Sequence, residues 1–231
     1  MASKDGILTK EELNLILLID NSYSMNGKRI NQVNQAMTVL KDDLIRVADK
    51  EDVDLKIRII AFSDEAIWKV GTVEHGEDIG SVVWKDLDVV GETATASAIR
   101  EANKSLKKAY LGARALRPVV VLVTDGYCTE QHSEYVAAIA EMKARLSGKS
   151  DKEKVMRVAI GVEGFNRDEL VEFASQGFIM DELQPLVFPV DEPEKLGKVI
   201  NWVTVTSILS SITDDGNAPP TFDQDEWVDV D

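Results

Sequence analysis

The sequence predicts an α/β fold of three layers, with a mostly parallel central sheet, one antiparallel edge strand and helices on both faces. Three observations support this prediction. Short apolar runs alternate along the chain with longer segments in which apolar residues recur every three or four positions. The strongest runs are apolar at every position, as expected for parallel strands that are covered on both faces. Two neighbouring strands are separated by a three-residue turn, which indicates an antiparallel hairpin.

The first half of the chain supplies three strands and two helices. The run at 13–19 is too short for a helix and apolar on both faces, so it is predicted as a buried strand. In the last helix of this half, Ala109 is expected on the inner face. In order, the predicted elements are a strand at 13–19, a helix with apolar residues from Ile30 to Val47, strands at 54–62 and 66–70, a short segment at 82–84 and a helix at 95–110.

The second half continues the alternation of strands and helices. Its strongest strand follows Pro118 and ends at Asp125. Asn166 is a predicted helix N-cap, because Glu169 follows three residues later. In order, the predicted elements are a strand at 119–125, a helix at 131–147, a strand at 155–162, a helix at 166–176, a strand at 186–190 and a helix at 192–211.

These elements indicate one domain with two appendages. The domain is expected at 13–211, after an N-terminal extension at 1–12. Residues 212–231 form a predicted flexible tail, which carries seven acidic residues and no basic one from Asp214 onward.

Composition narrows the classes of function. The chain has 26 basic and 41 acidic residues and a formal net charge of -15, which argues against nucleic acid or an anionic membrane as a partner. No apolar run approaches the roughly 20 residues that a membrane-spanning helix needs. Cys128 is the single cysteine, which excludes an internal disulfide. We therefore expect a soluble, cytoplasmic protein without a secretion signal.

Chemistry is expected at the carboxyl ends of two strands. The strand at 13–19 is followed by Asp20, and the strongest strand ends on Asp125. If these strands are neighbours, the two carboxylates meet at one edge of the sheet, where ligands of open α/β sheets bind. Ser22 and Ser24 lie on the loop after Asp20, at a spacing that lets both hydroxyls face the same side.

A third source of oxygen is the turn GETATAS at 91–97, which opens a helix. Two carboxylates with several hydroxyls, and neither sulfur nor imidazole, form a site for a hard cation. Mg²⁺ is the expected ion, with Mn²⁺ or Ca²⁺ as alternatives. Water and hydroxyls would complete its shell, and one position would stay open for a carboxylate from outside.

The segment DNSYS at 20–24, Thr93 and Asp125 together resemble the metal-ion-dependent adhesion site of von Willebrand factor A-type (VWA) domains. The resemblance covers about 13–211 and implies a Rossmann-like three-layer sandwich. It implies that Asp20, Ser22, Ser24, Thr93 and Asp125 hold the metal. It also implies a non-enzymatic module that binds a partner protein's Asp or Glu carboxylate. Thr95 remains the competing candidate for the threonine.

As a compact, cysteine-poor version of such a domain, the chain resembles bacterial TerY-type proteins of tellurite resistance. That likeness implies a role in stress signalling or assembly beside a kinase or a phosphatase. The metal-site subunit of a chelatase-like or ring-ATPase complex is an alternative. A haloacid-dehalogenase-like phosphotransferase is less consistent with the sequence, because Ser22 stands where those enzymes need a second carboxylate.

Four further features of the sequence have simple interpretations. Asp64 is interpreted as a hairpin-turn residue rather than a ligand. Cys128 and His132 are too few for a zinc site. For the acidic tail, a solvated appendage is the simple interpretation. The alternative is that a tail carboxylate docks on a metal site, its own or a neighbour's, and so causes self-association.

Overall fold

The structure is a computed structural model that describes residues 10–146, 155–179, 182–212 and 221–222. The strands are β1 (Glu11–Asp20), β2 (Val53–Phe62), β3 (Ala66–Val70), β4 (Glu77–Asp78), β5 (Val119–Thr124), β6 (Met156–Val162), β7 (Gln176–Ile179), β8 (Glu182–Pro185), β9 (Val187–Val190) and β10 (Thr221–Phe222). The α-helices are α1 (Lys28–Lys50), α2 (Thr95–Ser105), α3 (His132–Ala144), α4 (Arg167–Phe173) and α5 (Pro193–Ile212).

The main sheet has the strand order β3-β2-β1-β5-β6-β9, and β4 adds a short pairing with β2. The pairs β1–β2, β1–β5, β5–β6 and β6–β9 are parallel, whereas β3 pairs antiparallel with β2 at the edge. The predicted mostly parallel sheet and its antiparallel hairpin strand are confirmed.

Helices cover both faces of this sheet. α1 and α5 pack against each other, and α2 packs against α3. The central strands β1 and β5 are accordingly apolar and buried along almost their whole length, as the all-apolar runs predicted. The polar side chains at the ends of these two strands lie where the chain leaves the apolar core.

The helix predicted at 95–110 is wrong at its C-terminal end. α2 stops at Ser105, whose hydroxyl donates to the carbonyl of Ala102, and Lys107 N–H then bonds to the carbonyl of Ser105. A separate 3-10 turn follows at Lys108–Tyr110. Ala109 is therefore exposed rather than on an inner face. Its position fits the apolar period of the helix, but local hydrogen bonds at Ser105 and Lys107 end the helix first.

A second difference lies after α4. The predicted helix at 166–176 ends at Phe173, and the chain then forms the antiparallel hairpin β7–β8, which the sequence analysis did not predict. β10 extends this small sheet by pairing in parallel with β7. The expected N-cap at Asn166 is confirmed, since its side chain accepts the N–H of Asp168.

Three further points concern the predicted boundaries. The segment at 82–84 forms no strand; instead a 3-10 turn at Ile79–Ser81 follows β4. Most of the predicted N-terminal extension and of the acidic tail (1–9, 213–220 and 223–231) lies outside the described residues. Among the helices of the described chain, none is both long enough and apolar enough to cross a membrane.

Candidate metal centre

The candidate centre lies where the strand order reverses. From β1 the chain passes to β2 on one side of β1, whereas β5, β6 and β9 follow on the other side. The carboxyl ends of β1 and β5 are neighbours, since Ile19 pairs with Val123. Asp20 and Asp125 therefore leave the core at the same edge, as predicted for adjacent strands. This is the position at which open α/β sheets bind ligands.

Asp20 is fully buried and is held by two hydrogen bonds. Its Oδ1 accepts the backbone N–H of Ser22 at 2.8 Å, and its Oδ2 accepts the hydroxyl of Thr124 at 2.6 Å. Both bonds orient the carboxylate toward the loop that follows β1. Thr124 was not among the predicted site residues, because a threonine inside an apolar strand carries no sequence signal of this role.

Ser22 and Ser24 lie on that loop with their hydroxyls together. The two Oγ atoms are 2.9 Å apart, so the predicted convergence of these hydroxyls is confirmed. Ser22 is buried and Ser24 is exposed. The two serines thus lie between the buried carboxylate of Asp20 and the solvent.

Asp125 is also buried, and its Oδ2 accepts no hydrogen bond from the described residues. The nearest cation is Arg29, whose Nη1 lies 3.6 Å from that oxygen. Arg29 also donates to the carbonyls of Ser24 and Glu163, so it spans the loops after β1 and β6. Arg29 supplies a charge at this distance but no hydrogen bond, and a buried carboxylate oxygen without one is costly, so this oxygen fits a metal ligand.

Thr93 is held at the same edge by its backbone. Its N–H donates to Thr129 Oγ1, and its carbonyl accepts the N–H of Thr129 at 2.9 Å. This attaches the turn before α2 to the loop after β5. On the other side, the N–H of Tyr23 donates to the carbonyl of Gly91 at 3.0 Å, which attaches the turn to the loop after β1. The three chain segments predicted to form the site are therefore bonded to one another.

Asp64 supports this turn from the β2–β3 hairpin. Its Oδ1 accepts the N–H of Glu92 at 2.8 Å. Gly91 has a φ of +65°, and a Cβ at that position would collide with the Asp64 carboxylate. Asp64 is therefore a turn residue, as interpreted from the sequence, and it also holds the turn that carries Thr93.

Glu130 was missed by sequence reasoning, although it joins two parts of the site. Its carboxylate accepts the N–H groups of Ala96 and Ser97, and the hydroxyl of Ser97 at 2.7 Å. These are the free N–H groups of the first turn of α2. A carboxylate supplied from a distant loop caps this helix, so no local capping motif could reveal it.

Thr95, the competing threonine, is the first residue of α2 and is buried. Its hydroxyl lies beside the thiol of Cys128. Burial raises the pKa of that thiol, which keeps it protonated at neutral pH. His132 lies 3.4 Å from Glu172 at the surface. Within the described ranges, no group of three or more His, Cys, Asp or Glu side chains is placed to hold a metal. A metal at this edge must therefore rely on hydroxyl and water oxygens besides its two carboxylates.

Burial raises the pKa of Asp20 from 3.8 to about 6, and repulsion from Asp125 acts in the same direction. The hydrogen bonds from Thr124 and Ser22 oppose this shift. Between about pH 4 and pH 6 the folded, metal-free protein holds a proton that the unfolded chain releases, so its stability falls as the pH rises through this window.

The affinity for Mg²⁺ is therefore expected to fall below pH 6, because the cation must displace this proton. Loss of one proton per bound ion corresponds to about a tenfold fall in affinity per pH unit. Calorimetric titrations with MgCl₂ at pH 5, 6 and 7 measure this dependence. Equal affinities at pH 5 and pH 7 would contradict a role for Asp20 as a ligand.

Comparisons with known proteins agree with this fold. The family model of the von Willebrand factor type A domain matches residues 14–202. A comparison with curated protein sequences found no match.

Solved structures with a similar fold include the von Willebrand factor type A protein from Catenulispora acidiphila, at 18% identity and a TM-score of 0.62 over 86% of this chain and 43% of that one. Proximal thread matrix protein 1 from the mussel byssus, solved with a zinc-occupied MIDAS motif, matches at 22% identity and a TM-score of 0.57 over 87% and 46% of the two chains. The ArnB paralog VWA2 from Sulfolobus acidocaldarius matches at 18% identity and a TM-score of 0.53, over 82% of this chain and 44% of that one.

This chain spans less than half the length of each of these structures. At such identities they show the fold alone. The family model, in contrast, covers most of the chain, including the strand ends and loops described above. The chain belongs to the von Willebrand factor type A domain family.

Proposed function

We propose that this protein is a metal-dependent protein-interaction module, in which Asp20, Ser22, Ser24, Thr93 and Asp125 bind a divalent cation. The observation that carries the proposal is the pair of buried carboxylates at the ends of two adjacent parallel strands. One of their oxygens accepts no hydrogen bond from the described residues. Such a pair repels itself unless a cation lies between its members.

Mg²⁺ is the proposed ion. All five proposed ligands are oxygen donors, which match Mg²⁺ better than zinc, for which sulfur and nitrogen ligands are typical. Mussel proximal thread matrix protein 1 has been solved with zinc in its MIDAS motif, so zinc is the competitor to test first. With two carboxylates, a bound dication would keep a net attraction for one more anionic oxygen.

The proposed ligand is an Asp or Glu side chain of a partner protein. Ser24 is exposed, whereas Asp20 is fully buried, so the pair of serines opens the site on the solvent side. Arg29, on the first turn of α1, adds positive charge next to this opening, since it donates to the carbonyl of Ser24. A carboxylate is therefore attracted to this edge, although the protein as a whole is strongly acidic.

We propose that the protein is not an enzyme. A phosphotransferase that used Asp20 as nucleophile needs an acid-base carboxylate two residues later, and Ser22 stands there. Asp20 is also fully buried, and its carboxylate oxygens accept bonds from Ser22 and Thr124. A substrate phosphate has little access to it.

A cytoplasmic role beside a kinase or phosphatase of a tellurite-resistance-type system is the proposed setting. Affinity capture from a bacterial lysate, with MgCl₂ or with EDTA, tests it. Capture of a kinase or phosphatase only with MgCl₂ supports this setting. Capture of a ring ATPase would instead favour the alternative, a metal-site subunit of a chelatase-like or ring-ATPase complex.

The threonine ligand can be assigned by a pair of substitutions. Thr93→Ala is expected to weaken Mg²⁺ binding by about tenfold or more, because it removes one oxygen ligand. Thr95→Ala is expected to change the affinity less than twofold, because the hydroxyl of Thr95 lies beside Cys128. Thr93, in contrast, is bonded through its carbonyl to the loop after β5. Calorimetry on both variants measures the difference. The reverse result would transfer the ligand role to Thr95.

The direct test of the site is a crystal soaked with Mn²⁺. Anomalous scattering is expected from one peak within ligand distance of Asp20, Ser22 and Asp125. A peak elsewhere, or none at this edge, would contradict the proposed function.

A further inference from the structure

Three large apolar side chains on the loops that form the candidate metal centre are exposed to solvent. They are Tyr23, Val90 and Tyr127, with exposed fractions of 65%, 48% and 54%. We call these three residues the apolar rim. Single exposed apolar residues are common on protein surfaces, but three on the loops that form one site indicate a contact surface.

Backbone hydrogen bonds hold the apolar rim around the site. Tyr23 stands between Ser22 and Ser24, and Val90 N–H bonds to the carbonyl of Asn21 at 2.9 Å. Tyr127 lies two residues after Asp125, and its N–H faces Asp125 Oδ1 at 3.5 Å. One rim residue thus belongs to each of the three segments that form the site. The rim is therefore positioned by the same contacts that position the proposed ligands.

Together, the rim and the cation define the chemistry of the ligand. An acidic residue would bind the metal, and apolar residues next to it in sequence would cover the rim. Burying such side chains contributes about 25 cal/mol for each Å² of apolar surface removed from water. A ligand with acids alone leaves this surface exposed, and one with apolar residues alone leaves the cation without its carboxylate.

We propose, on the basis of the function proposed above, that the metal centre and apolar rim bind residues 223–231 of a second copy of this chain. This segment, DQDEWVDVD, contains only acidic residues, one glutamine and the apolar residues Trp227, Val228 and Val230. Asp229 lies between the two valines, so a carboxylate bound to the metal would bring an apolar side chain to the rim on each side.

Charge also favours binding of residues 223–231 at the metal centre and apolar rim. The chain carries a net charge of -15, so most of its surface repels a segment with five acidic residues. The candidate centre is different, because a bound dication would add positive charge there and Arg29 lies 3.6 Å from Asp125 Oδ2. The metal-dependent edge is therefore the favourable surface for this segment.

The topology favours a second copy over the same chain. Phe222, the last residue described before the segment, pairs with Ile179 on β7. β7 follows Ser175, whose N–H bonds to the carbonyl of Arg157 near the start of β6. The candidate centre lies beyond the opposite ends of the strands. The distance along β6 from Arg157 to the last residue of the strand, Val162, is roughly 17 Å at about 3.3 Å per residue.

Nine residues span at most about 30 Å. A segment of the same chain would have to use most of this reach to arrive at the metal and also place its apolar side chains on the rim. A second copy does not have this restriction, so binding is expected to produce dimers or longer assemblies.

The test is sedimentation velocity of the full chain over a range of concentrations, with MgCl₂ or with EDTA. Self-association is expected only with MgCl₂. The association constant should fall by about tenfold or more in a chain that ends at residue 222, and in the double variant Val90→Ser/Tyr127→Ser. The matched control is Val39→Ser/Ile67→Ser, since Val39 and Ile67 are similarly exposed, at 54% and 50%, but lie on α1 and β3. This control should change self-association less than twofold.

A synthetic peptide of residues 223–231 provides the second measurement. It is expected to bind the shortened chain with MgCl₂ and to compete with self-association of the full chain. A peptide with serine in place of Trp227, Val228 and Val230 should bind at least about tenfold more weakly. Equal binding of the two peptides would overturn the role of the rim.

Calorimetric titration with MgCl₂ separates this inference from the proposed function. At protein concentrations at which the parent is monomeric, the rim variant and the shortened chain should bind Mg²⁺ like the parent protein, because metal binding and association strengthen each other only in the associated state. A parent that binds Mg²⁺ but stays monomeric, or that associates equally well without residues 223–231, would overturn this inference alone. A parent that binds no Mg²⁺ would overturn the proposed function as well.

Discussion

Asp20→Asn is expected to abolish Mg²⁺ binding, with at least a 100-fold loss of affinity, while the fold is retained. The substitution replaces a charged ligand by a neutral amide of the same shape. Even residues that only orient metal ligands change metal affinity by about 10- to 100-fold when they are replaced, so loss of a charged ligand should cost more.

The fold is expected to survive because the hydrogen bonds of Asp20 can be replaced. The amide oxygen can still accept the N–H of Ser22. The amide NH₂ can donate to Thr124, whose hydroxyl rotates to accept it. The variant also removes a buried negative charge that burial and Asp125 disfavour, so its metal-free stability should equal or exceed that of the parent.

Thermal unfolding with and without MgCl₂ measures both effects. A ligand at 100 times its Kd stabilises the folded state by about 2.7 kcal/mol. This gain is expected in the parent and absent in Asp20→Asn. Asp78→Asn is the matched control, because Asp78 is an exposed carboxylate on β4 that pairs with Lys56. An Asp20→Asn protein that is still stabilised by MgCl₂ would refute the site.

Arg58→Leu is expected to have the largest effect on stability, a loss of about 3 kcal/mol. Arg58 lies on β2 and is fully buried. Its guanidinium donates to Asn14 Oδ1 at 2.5 Å and to three backbone carbonyls, those of Thr72, Glu74 and Tyr110. Leucine would leave these acceptors buried without their donor.

This network joins β1 to the loop after β3 and to the 3-10 turn that follows α2. Burial lowers the pKa of Arg58, but an arginine remains charged at neutral pH. Arg58 is paired in register with Ile16, four residues before Asp20. It therefore stabilises the sheet without contacting the candidate metal centre.

Thermal or denaturant unfolding measures this prediction. A loss of about 3 kcal/mol corresponds to a fall in Tm of roughly 10 °C for a chain of this size. Arg46→Leu is the control, since Arg46 is exposed on α1 and pairs with a neighbouring aspartate, Asp43. Its effect should stay within about 0.5 kcal/mol. Equal stability of the two variants would show that the buried network contributes little.

The two variants separate the site from the fold. Asp20→Asn should remove the response to metal and keep the Tm, whereas Arg58→Leu should lower the Tm and keep the response to metal. The reverse pattern would indicate that the buried carboxylates are structural residues.

The sequence alone determined the sheet, the order of its main strands and helices, and the residues at the ends of β1 and β5. Buried parallel strands must be apolar on both faces, so their lengths and ends are visible as apolar runs that stop at Asp20 and Asp125. Ser22 and Ser24 follow within the same loop. That their two hydroxyls face the same side is a local property that spacing predicts.

Only the tertiary structure decided the contacts between segments that are distant in the chain. The Arg29–Asp125 pair, the cap that Glu130 places on α2 and the four bonds of Arg58 join residues from different elements. The end of α2 at Ser105 and the β7–β8 hairpin likewise appear only in the structure. Local periodicity reports which face of a segment is apolar, but a hydrogen bond to another segment depends on how the whole chain folds.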